Sequence, residues 1–296
     1  MRYGIHFSYW ADRWAVDYRP YIEKAAELGF DLLEVSCSGI FSLFSSQVQL
    51  QSLKQCAADH GIGLTAGYCP STVQNLCSED SEVVERQLAF FASFFPKLQM
   101  LGIHTLGGPL YSRGEMHGQK QIDKAGDRGR AVENFRKASE IAEQWDVVLG
   151  LEVVNRYEGY LLNTCREAVS FVEDIGSSHV KVMLDTFHMN IEEDSIPGAI
   201  REAGKHLGHL HVSEQNRRVP GQGTLPWEQI GYALKDISYD GAVVMEPFPR
   251  SRGEIGHKVM LWRDVVDNAT DAQLDKDAKQ SLDFLRRTWA DGFHYR

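Results

Sequence analysis

The 296-residue chain has no long hydrophobic run: none approaches the roughly 20 apolar residues that a transmembrane helix needs. It also lacks an excess of basic residues, because 31 Lys and Arg stand against 41 Asp and Glu, and the formal net charge is −10. This charge argues against a general nucleic-acid or membrane-surface binder, whose field should be positive. The first residues show no basic-then-apolar signal pattern, so we expect a cytoplasmic protein.

Cysteine is scarce as well, and its spacing is uninformative for metal binding. The five cysteines are odd in number and never form a Cys-x-x-Cys pair. We interpret them as reduced thiols that serve packing, as is typical of a cytoplasmic protein. A cysteine metal site is the alternative, but this spacing does not favour it.

Eight short apolar segments alternate with helical patterns along the whole chain, and 296 residues divided by eight gives 37 residues per unit. Near-continuous apolar runs such as Val180–Leu184 are typical of a parallel sheet covered on both faces. An open doubly wound sheet would need a glycine-rich turn after the first strand, where Ser8–Asp12 stands instead. The pattern therefore predicts a closed (β/α)₈ TIM barrel. The predicted strands are Tyr3–Phe7, Leu32–Ser36, Gly63–Gly67, Ile103–Leu106, Val147–Val153, Val180–Asp185, Leu207–Val212 and Ala242–Glu246.

No shift in composition marks a second domain, so we expect residues 1–296 to form a single catalytic barrel domain, with the tail 292–296 left uninterpreted. Three long loops, Gly107–Gly126, Asn216–Pro226 and Pro247–His257, follow the carboxyl ends of predicted strands. Barrel enzymes place their active sites at that rim.

Each of the last four predicted strands carries a potential metal ligand at or near its carboxyl end: Glu152, Asp185, His211 and Glu246. An acid that follows an apolar run in a buried strand is costly to desolvate without a charge partner. Four such positions at one rim favour a cation, and oxygen ligands with one imidazole suit Mn²⁺, Mg²⁺ or Co²⁺. The alternative is that each residue is an independent strand-end cap or ion pair.

Three further histidines need separate interpretations. His209 lies two residues before His211 and shares its face, so we expect a hydrogen-bonded interior residue, or alternatively support for His211. His188 lies three residues past Asp185, where substrate binding is plausible. His6 lies inside the first strand, and its direction is open.

Two loop charges and three aromatic residues lie near the predicted rim. Arg217 and Glu158 either reach over the mouth of the barrel or are solvated loop charges. The aromatic residues Tyr9, Trp10 and Trp14 either wall the pocket or, as such clusters more often do, belong to the core.

Five segments of the chain are informative when taken together: Glu152–Arg156, Asp185–Glu193, Gly208–His211, Val244–Phe248 and Trp262–Asp264. Together they resemble the ketose 3-epimerases, the family of D-tagatose and D-allulose (psicose) 3-epimerases. The resemblance runs from Gly4 to about Leu285, and its Asp-Thr-Phe-His-Met-Asn-Ile-Glu-Glu stretch is too long to match by chance.

The resemblance implies a xylose-isomerase-like barrel with one divalent metal, usually Mn²⁺ or Co²⁺, on the four strand-end residues named above. It also implies substrate binding by Glu158, His188 and Arg217, and assembly into homodimers or homotetramers. Two departures leave the sugar preference open. His6 stands where relatives carry Tyr or Phe, and Ser112–Gly114 stands in a loop that carries Trp in relatives. Both positions line the sugar-binding mouth in the family, so the resemblance implies that His6 is a substrate-binding residue.

Epimerisation at carbon 3 of a ketose removes the proton next to the carbonyl and returns it to the opposite face. A divalent cation would stabilise the resulting enediolate. Glu152 and Glu246 stand three strands apart, about 135° around the mouth, so we expect one to abstract the proton and the other to deliver it. We expect His188 and Arg217 to fix the oxygens around carbons 1 and 2, and Phe248 to face carbons 4–6. The expected substrates are D-fructose and D-allulose, D-tagatose and D-sorbose, with ribulose as a further candidate.

Other activities remain open at this point. An aldose–ketose isomerase or a sugar-phosphate 3-epimerase would use the same scaffold, and Arg250 and Arg252 keep a phosphate substrate open. A metal-dependent abasic-site endonuclease would need a basic surface, which the net charge of −10 opposes. A non-catalytic sugar-binding protein would leave the second glutamate unexplained.

Overall fold

Eight parallel strands close into a barrel in the computed structural model of the protein, which describes residues 1–71, 73–112 and 122–290. Each strand pairs with the next along the chain, and the last strand pairs with the first, Arg2 opposite Ala242. The predicted (β/α)₈ fold is therefore confirmed. The strands are β1 Arg2–His6, β2 Leu32–Ser36, β3 Gly63–Gly67, β4 Thr105–Gly108, β5 Val148–Glu152, β6 Val180–Asp185, β7 Leu207–Val212 and β8 Ala242–Met245.

Helices follow the strands and cover the outside of the barrel. The apolar core fills the space between the two layers and the barrel interior. The helices are α1 Arg19–Leu28, α2 Cys37–Leu43, α3 Gln47–Asp59, α4 Ser81–Leu101, α5 Lys124–Gln144, α6 Cys165–Ile175, α7 Thr186–Glu192, α8 Ile196–Ala203, α9 Trp227–Asp236, α10 Gly253–Lys258 and α11 Asp271–Thr288.

Three short helices, α2, α7 and α10, lie at the rim, in the segments that follow β2, β6 and β8. Two of them begin where a strand ends, because the last strand residue also caps the helix. The Ser36 side chain accepts a hydrogen bond from the Ser38 amide, and the Asp185 side chain accepts one from the Phe187 amide. Asp185 therefore ends β6 and caps α7, which fixes its carboxylate at the mouth of the barrel.

The strand register places the polar interior residues at matching heights. Across β1, β2 and β3, His6 is the register partner of Glu34, and Glu34 is the partner of Thr65. Across β6 and β7, Asp185 is the partner of His211. Because alternate residues of a strand point inward, these side chains lie inside the barrel near its carboxyl end.

The structure also bears on the predictions about membrane-spanning segments, disulfides and the loop Ser112–Gly114. Within the described residues, no helix is both long enough and apolar enough to cross a membrane. All five cysteines are described, and none takes part in a disulfide bond. Of the loop Ser112–Gly114, Ser112 is described and buried, whereas Arg113 and Gly114 lie outside the described residues, as does the tail 292–296.

Candidate active site

The structure brings the four predicted metal ligands together at the carboxyl end of the barrel. Glu152 ends β5, Asp185 ends β6, His211 lies in β7 and Glu246 directly follows β8. One potential ligand atom of each residue lies within 4.8 Å of those of the other three, and the side chains are buried or nearly so. The four residues are therefore not independent ion pairs at separate strand ends. The four groups form one cluster.

The chemistry of this cluster fits a hard divalent cation. It offers carboxylate oxygens from three residues and one imidazole nitrogen, the mixture that Mn²⁺ or Mg²⁺ binds. The decisive atom is His211 Nδ1, which is buried, makes no hydrogen bond with any described residue, and lies 3.3 Å from Glu246 Oε2 and 4.0 Å from Glu152 Oε1. A buried ring nitrogen that faces carboxylates without a hydrogen-bond partner is typical of a metal ligand.

Arg217 reaches into the cluster from the loop after β7. Its Nη1 donates to Asp185 Oδ2 at 2.6 Å and to Glu246 Oε2 at 3.2 Å, which partly neutralises the carboxylates. The guanidinium lies between two aromatic rings, 4.0 Å from the centroid of Phe187 and 5.2 Å from that of Phe248. Arg217 also adopts a φ of 64°, a left-handed conformation that non-glycine residues seldom take. The loop thus holds this side chain over the mouth, and Arg217 is not a solvated loop charge.

The surroundings push the pKa values of the two glutamates apart. Burial, with the nearby charges of Glu246 and Asp185, raises the pKa of Glu152 well above its usual value. Burial acts in the same direction on Glu246, but the adjoining His211 and Arg217 outweigh it and lower its pKa to about 2. Burial lowers the pKa of His211, yet Glu246 and Glu34 outweigh that effect and raise it well above its usual value. These surroundings therefore favour the acid form of Glu152 and the base form of Glu246.

His188 and Glu158 meet at the edge of the cluster through Asn155. The Asn155 amide donates to His188 Nδ1 at 3.2 Å, so this nitrogen is an acceptor and the ring carries its proton on Nε2. His188 Nε2 lies 3.8 Å from both Glu152 Oε1 and Asp185 Oδ2. Asn155 Nδ2 also donates to Glu158 Oε1 at 3.2 Å, and the Glu158 side chain remains 43% exposed. A buried imidazole and an exposed carboxylate therefore face the same opening.

His6 and Phe248 lie on the other side of the mouth. The His6 ring is buried, with its centroid 6.4 Å from that of His211, and the Ser8 amide donates to its Nδ1 at 3.3 Å. The Nε2–H is therefore the free end of His6. Phe248 is buried against Arg217. Its contact with carbons 4–6 of a sugar stays a prediction.

The aromatic residues after β1 divide between the two alternatives. Tyr9 donates to the Leu274 carbonyl and Trp10 to Asp275, both on α11, so these two belong to the outer packing. Trp14 packs edge-on against His6 at 6.2 Å, and its buried Nε1 makes no hydrogen bond. Only Trp14 of the three adjoins the mouth.

Glu34 was missed by the sequence interpretation. It is 1% exposed in the middle of β2 and lies between two histidines, 2.6 Å from His211 Nε2 and 2.8 Å from His209 Nε2. Burial disfavours its charged form, but the two histidines lower its pKa well below the usual value. The signal was present in the sequence as a single acid within the apolar strand Leu32–Ser36. His209 is buried in the interior, as expected, but neither of its ring nitrogens makes the expected hydrogen bond within the described residues; its Nε2 lies 2.8 Å from Glu34 Oε2.

Similarity to known proteins defines the class to which this protein belongs. The family described as xylose isomerase-like TIM barrel matches residues 22–288. A D-psicose 3-epimerase of Enterocloster bolteae is 54% identical over 289 residues, which make up 98% of this chain and 96% of that protein. A D-psicose 3-epimerase of Agrobacterium fabrum is 48% identical over 286 residues, 97% of this chain and 98% of that protein.

A solved structure agrees with these matches. The crystal structure of D-psicose 3-epimerase from Clostridium cellulolyticum H10 with D-tagatose has a TM-score of 0.95 and 49% identity, and covers 98% of this chain and 99% of that one. The chain belongs to the ketose 3-epimerase family of xylose isomerase-like TIM barrels. The predicted resemblance and the predicted class of enzyme, a carbohydrate epimerase, are confirmed.

Proposed function

We propose that this protein is a divalent-metal-dependent 3-epimerase of free ketoses. The proposed substrates are the pairs D-fructose and D-allulose and D-tagatose and D-sorbose, with ribulose as a further candidate. The observation that carries the proposal is the position of Glu152 and Glu246, which come from β5 and from the end of β8 and face His211 in one buried cluster. An epimerase needs a base on each face of the carbon that it inverts, and this cluster supplies two.

The proposed metal ligands are Glu152, Asp185, His211 and Glu246, and Mn²⁺ is the first candidate, with Co²⁺ or Mg²⁺ as alternatives. A divalent cation bound there would supply Lewis-acid stabilisation of the negative charge that develops on oxygens 2 and 3 of the ketose.

Glu152 and Glu246 are the proposed acid–base pair. One carboxylate takes the hydrogen of carbon 3 as a proton, and the electrons of the C–H bond pass into the enediolate. The other glutamate, in its carboxylic acid form, returns a proton to the opposite face, and the two exchange roles in the reverse reaction. The opposite pKa shifts of the two residues in the metal-free protein support one acid and one base.

The remaining residues hold the sugar. His188 directs its Nε2–H towards the cluster, and Arg217 lies over it, so both can donate to the oxygens on carbons 1 and 2. Glu158 accepts from Asn155 at the same edge and retains an exposed oxygen for a sugar hydroxyl. His6 and Phe248 lie across the mouth and are the proposed contacts for carbons 4–6.

The test is exchange of the carbon-3 hydrogen with deuterium from solvent. Wild-type protein loaded with Mn²⁺ is incubated with D-fructose in ²H₂O, and the sugars are followed by NMR and chromatography. Deuterium at carbon 3 together with D-allulose as product is expected. Glu152→Gln and Glu246→Gln should each abolish epimerisation, whereas Glu193→Gln should not, because Glu193 is a half-buried acid that caps the Cys165 amide outside the cluster.

Two results would overturn the proposal. Full activity in either glutamine variant would remove the two-base mechanism. Aldoses as the only products would favour an aldose–ketose isomerase. A phosphorylated substrate has less support, because Arg250 binds Asp271 and the carbonyl of Ala269 instead of facing the cluster. Parallel incubations with D-tagatose, D-ribulose and fructose phosphates compare these alternatives directly.

The proposal extends to organisation and location. We propose that the barrel is the single catalytic domain, that the protein assembles as a homodimer or homotetramer as the family resemblance implies, and that it works in the cytoplasm. The thiols of the five cysteines, none of them in a disulfide, are compatible with a reducing compartment. Light scattering coupled to size-exclusion chromatography measures the assembly.

A further inference from the structure

Glu34 lies behind the proposed metal cluster, where no step of the proposed reaction uses it. It occupies the middle of β2, with His6 and Thr65 as register partners on the neighbouring strands. His211, by contrast, belongs to β7. The contact between Glu34 and His211 therefore crosses the interior of the barrel, and local strand pairing does not produce it.

Both carboxylate oxygens of Glu34 are engaged. Oε1 lies 2.6 Å from His211 Nε2, and Oε2 accepts from Thr65 Oγ1 at 2.8 Å and lies 2.8 Å from His209 Nε2. An ionised carboxylate is an acceptor only, so the nitrogen that it meets must carry a hydrogen. The contact thereby assigns the proton of His211 to Nε2.

This assignment determines what the other ring nitrogen can do. With hydrogen on Nε2, the neutral imidazole of His211 has its lone pair on Nδ1, the atom that faces Glu152 and Glu246. Thr65 Oγ1 donates to the other carboxylate oxygen, Oε2, and His209 Nε2 lies 2.8 Å from it, so both oxygens of Glu34 are held in place. A carboxylate on the second nitrogen fixes ring orientation and increases the basicity of a metal-binding histidine.

We propose that Glu34 is a positioning residue that fixes the tautomer and orientation of His211 and so sets the metal affinity of the site. The inference rests on the proposed function, because it assumes that the cluster of Glu152, Asp185, His211 and Glu246 binds one divalent metal. His209 and Thr65 act through Glu34, since both contact its Oε2.

The experiment compares metal binding in wild type, Glu34→Gln and Glu214→Gln. Glutamine keeps the shape of Glu34, but its NH₂ group meets one of the donors that the carboxylate accepts from. Glu214 is a matched control. It is also fully buried, and it accepts three hydrogen bonds, from the amides of Gly221 and Leu225 and from Trp227 Nε1, but its side chain contacts no residue of the cluster.

Isothermal titration with Mn²⁺ gives affinity and stoichiometry, and thermal unfolding in EDTA gives the stability of each metal-free variant. Glu34→Gln should keep one Mn²⁺ per chain and raise its Kd about 10- to 100-fold, the usual effect of losing such a partner. Glu214→Gln should lower the unfolding temperature but keep the Kd for Mn²⁺ at the wild-type value. Equal Kd values in wild type and Glu34→Gln would overturn the inference. Two Mn²⁺ per chain in wild type but one in Glu34→Gln would also overturn it, because Glu34 would then be a metal ligand itself.

A measurement on wild-type protein covers the case in which Glu34→Gln fails to fold. Long-range ¹H–¹⁵N spectra of the Mg²⁺-loaded protein, labelled at histidine, report which ring nitrogen of His211 carries hydrogen, with the peak assigned by its loss in His211→Asn. Hydrogen on Nε2 supports the inference, and hydrogen on Nδ1 overturns it. If wild type binds no divalent metal, the proposed function fails. If it binds metal and Glu34→Gln binds equally well, this inference alone fails.

Discussion

Loading the candidate metal centre should stabilise the folded protein, and one ligand should control the effect. The cluster gathers the carboxylates of Glu152, Asp185 and Glu246, whose ligand atoms all lie within 4.8 Å of one another and of the His211 ring. Only the folded chain brings these four groups together. Mn²⁺ should therefore bind the native state in preference to the unfolded state and shift the equilibrium towards it.

The expected size follows from ligand linkage. At a free concentration 100 times the Kd, a ligand specific for the native state adds about 2.7 kcal/mol to the free energy of unfolding. The unfolding entropy of globular proteins is about 2.1 cal/mol/K per residue, which for 296 residues is roughly 0.6 kcal/mol/K. The unfolding temperature should accordingly rise by about 4 °C.

The perturbation that tests this is Asp185→Asn. Asparagine caps a helix as well as aspartate does, so the hydrogen bond from the Phe187 amide and the start of α7 should survive. A metal bound by the cluster would, however, lose the negative charge of the Asp185 carboxylate. Differential scanning fluorimetry with EDTA or with Mn²⁺ at 100 times the wild-type Kd should show the rise in wild type and in Glu193→Gln, but not in Asp185→Asn. An equal rise in Asp185→Asn would refute the reasoning.

The remaining predictions concern protons and substrate contacts. Because the pKa of His211 is raised when no metal is bound, protonated His211 stabilises the folded protein below the unfolded pKa, and this stabilisation is lost as pH rises through the folded pKa. Mn²⁺ must displace this proton, so its affinity should increase with pH. Calorimetry in buffers of different ionisation enthalpy should find the corresponding proton release. His6→Phe should change the ratio of kcat/KM for D-fructose and D-tagatose by about 2- to 10-fold, the value of one hydrogen bond, at unchanged Mn²⁺ affinity. Asn155→Ala should raise KM more than it lowers kcat, because Glu158 loses its hydrogen-bond donor, and steady-state kinetics with D-fructose separates the two.

The cluster of strand-end residues was predictable because two local signals coincide. A run of apolar residues marks a buried strand, and the acid that ends it needs a charge partner that the strand itself does not provide. Parallel strands of a barrel end at one rim, so Glu152 and Asp185 had to meet there once the eight-strand count was known. Their convergence follows from topology and needs no knowledge of side-chain conformation.

Glu34 and Asn155 were not predictable in the same way. The two histidines that contact Glu34 lie on β7, 175 and 177 residues away, and these contacts exist only because the barrel closes and brings β2 and β7 to face each other across its interior. Asn155 acts through the turn of the chain after β5, which lets its amide and side chain meet His188. Loop conformation of this kind leaves no periodic signal in the sequence.

Arg217 adjoins both the candidate metal cluster and the mouth of the barrel. It donates to Asp185 Oδ2 and Glu246 Oε2, two of the proposed ligands, and so supplies positive charge to a buried carboxylate cluster. The same guanidinium lies between the rings of Phe187 and Phe248. Because a bound cation would compete with Arg217 for the charge of these carboxylates, loading the metal should weaken those ion pairs and leave guanidinium hydrogens available for sugar oxygens. We therefore expect metal binding and substrate binding at this site to be coupled through the side chain of Arg217.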